Sequence, residues 1–188
     1  MSKTWIYKFG GASVKDTAAL KNLAEILRNR LRNNLVIVVS AMGKTTNALE
    51  NILTNKLKGL DFSENSAILK SFHREICEEL FPEGHAVFAQ VDNLFALLEN
   101  QLEKPLSRDN YDEYYDQVVC FGELISSKIV AEYLCYQNLI VLWQDAREVI
   151  HTDSDFRFAK INWEKTRKAC QSTWKPMLEN FPILGRVN

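Results

Sequence analysis

Trp5-Ile6-Tyr7-Lys8-Phe9-Gly10-Gly11-Ala12-Ser13-Val14 holds a strand, a stop and the approach to a helix within ten residues. Trp5, Ile6 and Tyr7 favour an extended, half-buried backbone. Gly10 and Gly11 then end the strand, because glycine tolerates tight turns that other residues resist. Asp16 follows where an amphipathic helix begins, and Lys8 stands at the strand's end. Exposed backbone N–H groups, the positive end of a helix and a lysine converge there, which suits an anion such as phosphate. A bare Gly-Gly is also simply a strand-to-helix turn, with Lys8 a surface charge. From these residues alone both readings stand.

Two other phosphate motifs are absent. No third glycine arrives to complete Gly-x-Gly-x-x-Gly, and Gly43-Lys44-Thr45 lacks the earlier glycine of a P-loop, whose place is taken by Val38. The 188 residues suffice for one well-buried domain. With 46% hydrophobic and 25% charged residues the composition is that of a globular protein. A net charge of −1 gives no reason to expect nucleic acid or an anionic membrane surface as partner. Cys77, Cys120, Cys135 and Cys170 are scattered, as are His73, His85 and His151, so no zinc site is legible and no metal ligand is assigned. Neither a secretory leader nor a membrane-spanning run is present, and a reduced, cytoplasmic protein is expected.

Strands and helices alternate along the chain. Leu20, Leu23, Leu27 and Leu31 recur at helical spacing with Ile26 beside them, and Asn33-Asn34 closes that helix. Leu35 to Val39 is a continuous β-branched apolar run, as expected of a parallel strand buried on both faces. The turn from Ser40 to Asn47 precedes another helix, for which Thr46 or Asn47 is a natural N-cap. Both loops fall at carboxyl ends of neighbouring parallel strands, the edge where open α/β sheets bind ligands.

Residues 60–118 read as a helical insertion that covers the sheet or reaches a partner. Ser63 to Leu80 and Ala86 to Leu102 are helical, broken by Pro82 with Gly84 and by Lys104 to Asn110. Tyr111 to Tyr115 starts a helix with an acidic face. Val118 to Tyr136 reads as one helix with Gly122-Glu123 in its first turns. A carboxylate there is usually a dipole partner. Gly122 costs a helix roughly 1 kcal/mol relative to alanine, which asks for a packing or ligand reason. Leu139 to Trp143 makes a third strand, followed by Asp145-Ala146-Arg147. A short helix is expected from about Asn162 to Trp174, ended by Pro176, and Phe181 to Gly185 as one more strand.

Lys8-Phe9-Gly10-Gly11-Ala12-Ser13-Val14 resembles the signature that opens aspartate kinases, with Ala12 where threonine is usual. Val38-Val39-Ser40-Ala41-Met42 with Thr46-Asn47 resembles that family's second loop, and Gly122-Glu123-Leu124-Ile125-Ser126 its third motif. Asp145-Ala146-Arg147 with Ile150 and Thr152-Asp153 resembles the fourth. In Phe156-Arg157-Phe158-Ala159 arginine stands where many members place glycine, and that segment is not assigned to the site. The resemblance implies an amino acid kinase fold: α/β, a parallel sheet sandwiched by helices, with phosphoryl donor and acceptor along one edge. It also implies that residues 1–188 form the amino-terminal, aspartate-binding lobe, without the family's nucleotide half and regulatory domains.

The implied reaction is ATP-dependent phosphorylation of the side-chain carboxylate of L-aspartate, the first step toward lysine, threonine and methionine. By that resemblance Lys8, Phe9, Gly10, Gly11 and Ser13 cradle the phosphates of ATP with Mg²⁺ bridging them, and Lys8 neutralises charge in the transition state. Glu123 suits the ammonium group of aspartate, while Ser40, Thr46 and Asn47 suit its carboxylates. Arg147 either grips a carboxylate in bidentate fashion or pairs structurally with Asp145 or Asp153. The isolated chain is expected to be nearly inactive and open to self-association or to association with the missing domains. A different amino acid kinase and a non-catalytic binding fragment are the alternatives.

Overall fold

The computed structural model describes residues 4–30, 35–180 and 185–187. Strand β1 (Trp5–Phe9) leads through the glycine turn to helix α1 (Thr17–Asn29), and β2 (Leu35–Val39) follows. Next come α2 (Thr45–Leu57), α3 (Ser63–Leu80), α4 (Ala86–Glu103), α5 (Tyr111–Val119) and α6 (Phe121–Tyr136). Then β3 (Val141–Trp143), α7 (Trp163–Asn180) and β4 (Gly185–Val187) complete the order. The sheet runs β1-β2-β4-β3 with every pairing parallel, so all four carboxyl ends share one edge.

The α/β architecture and the helical insertion expected from the sequence are therefore present. Leu35, Val36, Ile37 and Val39 are buried in β2, whereas β1 is an edge strand that exposes Ile6. Helix α6 is the hub of the packing. It is buried through Leu124, Ile125, Ile129, Val130 and Leu134, and it touches β2, β3, β4, α1, α2, α4 and α5. Each such side chain contributes about 1.5–3 kcal/mol by leaving water. Among the described residues no helix is long and apolar enough to cross a membrane.

Several boundaries differ from the sequence reading. The helix expected over 118–136 is two helices that meet at Cys120, whose thiol donates to the Gln117 carbonyl at 3.5 Å. Helix α2 starts at Thr45 after Lys44 with no side-chain cap, so neither Thr46 nor Asn47 is its N-cap. Strand β3 loses Leu139, because Leu139 N donates to Leu134 O in closing α6, with Asn138 left-handed at φ 63°. Helix α7 continues through Pro176 to Asn180. Proline cannot donate to the carbonyl one turn back, but that carbonyl belongs to Ser172, which is exposed and can use water. Of the last expected strand, residues 181–184 lie outside the described residues, as do Leu31, Asn33 and Asn34.

Candidate active site

Three loops meet at the carboxyl edge of the sheet, and glycine decides how closely they approach. A Cβ on Gly11 would lie 3.0 Å from the Ala41 carbonyl oxygen and 3.4 Å from that of Gly43. A Cβ on Gly122 would lie 2.9 Å from Ala41 Cβ and 3.3 Å from Thr45 Cγ2. The glycine turn and the start of α6 thus close on the second loop from two sides, with no room for a methyl group. That contact is the packing reason for a glycine inside α6.

Hydrogen bonds tie the same parts together. Ser40 N donates to Phe9 O at 3.0 Å, and Gly43 N to Gly11 O at 3.3 Å. Ser126 Oγ donates to Ser40 O at 2.7 Å, and Ala41 N donates to Glu123 Oε1 at 3.2 Å. Glu123 is exposed, so the bond from Ala41 fixes against the second loop a carboxylate that still faces solvent, with Thr46 and Asn47 in the first turn of α2 just after that loop.

In the first loop, Lys8 is exposed and its Nζ lies 3.5 Å from where a Gly10 Cβ would stand, so the ammonium sits over the glycine turn. Exposed Ser13 is in the same loop, in a single 3₁₀ turn over Gly11–Val14, and its N–H is satisfied by Gly10 O at 2.8 Å. One part of the sequence reading is corrected here. The α1 N-terminus does not add its dipole to the lysine and glycines, because Asp16 caps it, accepting from Ala19 N at 2.8 Å. A carboxylate already answers that positive end.

In the fourth motif Arg147 pairs with Asp145 and not with Asp153. Asp145 accepts from Arg147 N at 2.9 Å, from Nε at 3.0 Å and from Nη2 at 2.7 Å, while Asp153 instead shapes its own turn by accepting from Asp155 N and Lys160 N. Burial pulls the Asp145 carboxyl upward, but the Arg147 hydrogen bonds and charge outweigh it and hold the group below its ordinary value. Arg147, Cys120 and Glu123 line a cavity of about 460 Å³ with Tyr115 and Val119. Burial pushes the Cys120 thiol above its usual range, so it is a poor nucleophile there.

Among the described residues no group of three or more His, Cys, Asp or Glu side chains is placed to hold a metal ion. The model of the amino acid kinase family matches residues 3–185. The chain belongs to the amino acid kinase family. Aspartokinase 2, chloroplastic, of Arabidopsis thaliana is 31% identical over 84% of this chain and 29% of its own length. The bifunctional aspartokinase/homoserine dehydrogenase 2 of Escherichia coli K12 is 30% identical over 79% of this chain and 18% of its own. The chain thus spans less than a third of these curated relatives. The structure of E. coli aspartokinase III in complex with aspartate and ADP superposes with TM-score 0.83 at 22% identity, over 98% of this chain and 40% of that one.

Within this family member, two residues near the site escaped the sequence reading. Buried Thr45 and buried His73 meet at 3.3 Å beneath the second loop. His73 falls in the helical register of Leu69, Ile76 and Leu80, which was the available signal.

Proposed function

We propose that this chain supplies the amino-acid-binding half of an ATP-dependent kinase that phosphorylates the side-chain carboxylate of L-aspartate. The observation that carries this is Glu123, exposed at the start of α6 and held by Ala41 N of the loop that follows β2 and leads into Thr46 and Asn47. The acceptor carboxylate has a reference pKa near 3.9 and is already ionised at neutral pH, so no general base is required. Transfer then depends on positioning and on neutralising charge. Glu123 Oε1 is occupied by Ala41 N, which leaves Oε2 for the substrate ammonium. The Ser40, Thr46 and Asn47 side chains offer hydrogen bonds to its carboxylates. Arg147 can take part only with the guanidinium edge that Asp145 does not occupy.

Lys8 and the turn of Phe9, Gly10, Gly11 and Ser13 fit the phosphates of ATP, because the ammonium overlies a backbone with no side chain in the way. Mg²⁺, when bound, supplies further charge neutralisation on those phosphates. The proposed setting is the cytoplasm and biosynthesis of lysine, threonine and methionine; the curated relatives include chloroplastic and bacterial forms. A non-catalytic amino-acid-binding role is the second reading. Titration of aspartate and of ATP·Mg²⁺ into wild type and Glu123→Ala tests the proposal. The variant is expected to weaken aspartate binding at least tenfold, roughly one charge-assisted contact, with little effect on nucleotide. Equal loss of both ligands overturns the assignment, and an acceptor screen then identifies the true substrate.

A further inference from the structure

We infer that His73, which lies outside every family-like motif, is a positioning residue that sets the aspartate-binding turn through Thr45. This inference rests on the aspartate reading above. The imidazole is fully buried, with its ring edge-on to Phe72 and Phe95 at centroid distances of 5.0 and 5.6 Å. Nδ1 lies 2.9 Å from the Leu69 carbonyl oxygen, which only accepts, so Nδ1 carries the proton. Nε2 is therefore a bare acceptor, and it takes the Thr45 hydroxyl at 3.3 Å. One tautomer satisfies all three groups. Burial drives the pKa of His73 down to about 4, which keeps that tautomer neutral through the physiological range.

From the α3 side this bond holds the turn, whose backbone is closed by Thr45 N donating to Met42 O at 3.0 Å. Helix α2 begins without a side-chain cap. Thr45 also borders a cavity of about 260 Å³, walled by Ala48, Ile68, Leu69 and Phe72, which leaves the first turn room to shift. On the opposite side the Thr45 methyl faces Gly122, with the Gly122 Cβ position 3.3 Å from Cγ2. Thr45 is thus held by its methyl against α6 and by its hydroxyl against α3. The next two residues are Thr46 and Asn47, the groups proposed to face substrate. A buried hydrogen bond in this place converts into the orientation of the binding turn.

The decisive comparison is between amide replacements of different reach. His73→Asn can still donate to Leu69 O but falls short of Thr45, whereas His73→Gln can present a carbonyl oxygen near the place of Nε2. Titration of the full chain with aspartate, and separately with ATP·Mg²⁺, is expected to show a three- to tenfold weaker aspartate affinity in His73→Asn and in Thr45→Val, roughly the loss of one buried neutral hydrogen bond. His73→Gln should stay within about twofold of wild type, and nucleotide affinity should not move. The double variant His73→Asn with Thr45→Val should be no worse than the poorer single variant, since both remove the same bond. Wild-type aspartate affinity in both His73→Asn and Thr45→Val overturns the inference, and so does parallel loss of aspartate and nucleotide binding. If one variant fails to fold, the other carries the comparison. Wild type that binds nucleotide but no aspartate overturns the aspartate reading and this inference with it, a result distinct from binding that ignores His73.

Discussion

Lys8 is the last residue but one of β1, with its ammonium over Gly10 and its side chain exposed, so it contributes little to packing and, in the proposed reading, supplies charge at the phosphates. In a catalytically complete form, Lys8→Met is expected to lower kcat by roughly two to three orders of magnitude, the usual cost of removing one charge-stabilising group. Its denaturation midpoint should match wild type. Near-normal turnover would remove Lys8 from the phosphates. Gly122 gives the opposite pattern. Alanine there gains up to about 1 kcal/mol of helix propensity, but its methyl would press on Ala41 Cβ at 2.9 Å, and overpacking costs roughly 1–3 kcal/mol. Gly122→Ala should therefore lower the urea midpoint and weaken aspartate binding together. A raised midpoint with unchanged affinity would show that the second loop yields without consequence. Gly122 was legible from sequence as a glycine in need of a reason. Thr45 was not, because a threonine before Thr46-Asn47 reads as one more turn hydroxyl until its burial is known.

The β1-turn-α1-β2 unit was readable because its signals are local: apolar runs, glycine punctuation and a helical leucine spacing. Helix ends were less readable. Cys120 interrupts a pattern that is continuous in periodicity, and Pro176 fails to interrupt because the carbonyl it orphans belongs to exposed Ser172. The join of α2 to α3 was invisible, since it depends on tertiary contact between Thr45 and His73. That join has a pH signature. A neutral His73 buried between α2, α3 and α4 has its folded pKa lowered to about 4 from an ordinary value of 6.5. The unfolded chain then binds the proton more readily, so stability rises with pH between those values. His73 should contribute nothing to pH dependence above about 6.5, and between there and about 4 stability should fall as pH falls. The full span is about 3 kcal/mol at 1.36 kcal/mol per unit. Urea titrations at several pH values between 4 and 7 should show a shallower slope for His73→Gln than for wild type. Equal slopes would mean that His73 is protonated in the folded state.

At the scale of the whole molecule, donor and acceptor must be held in line, and a misplacement of about 1 Å can cost roughly a hundredfold in rate. The described fold ties the loop after β2 to the glycine turn and to α6 through Ser40, Gly43, Ala41 and Glu123. In the proposed reading Ser40, Thr46, Asn47 and Glu123 take the acceptor while Lys8 and the glycine turn take phosphates. The cavity of about 460 Å³ beside Glu123 is lined by Arg147, Cys120, Asp116, Gln117, Tyr115 and Val119, and in the proposed reading it takes the amino acid. A phosphate grip without base contacts is weak and poorly oriented. The 188 residues tested by themselves should therefore bind aspartate weakly and release ADP little above background in a coupled assay with aspartate and ATP·Mg²⁺. Exposed Ile6 on edge strand β1, with Phe158 and Trp163 beyond the fourth motif, should promote self-association visible as concentration-dependent sedimentation. Tight nucleotide binding with steady turnover from a monomer would show that these residues hold a complete site, and that the base of ATP finds a surface other than this cavity.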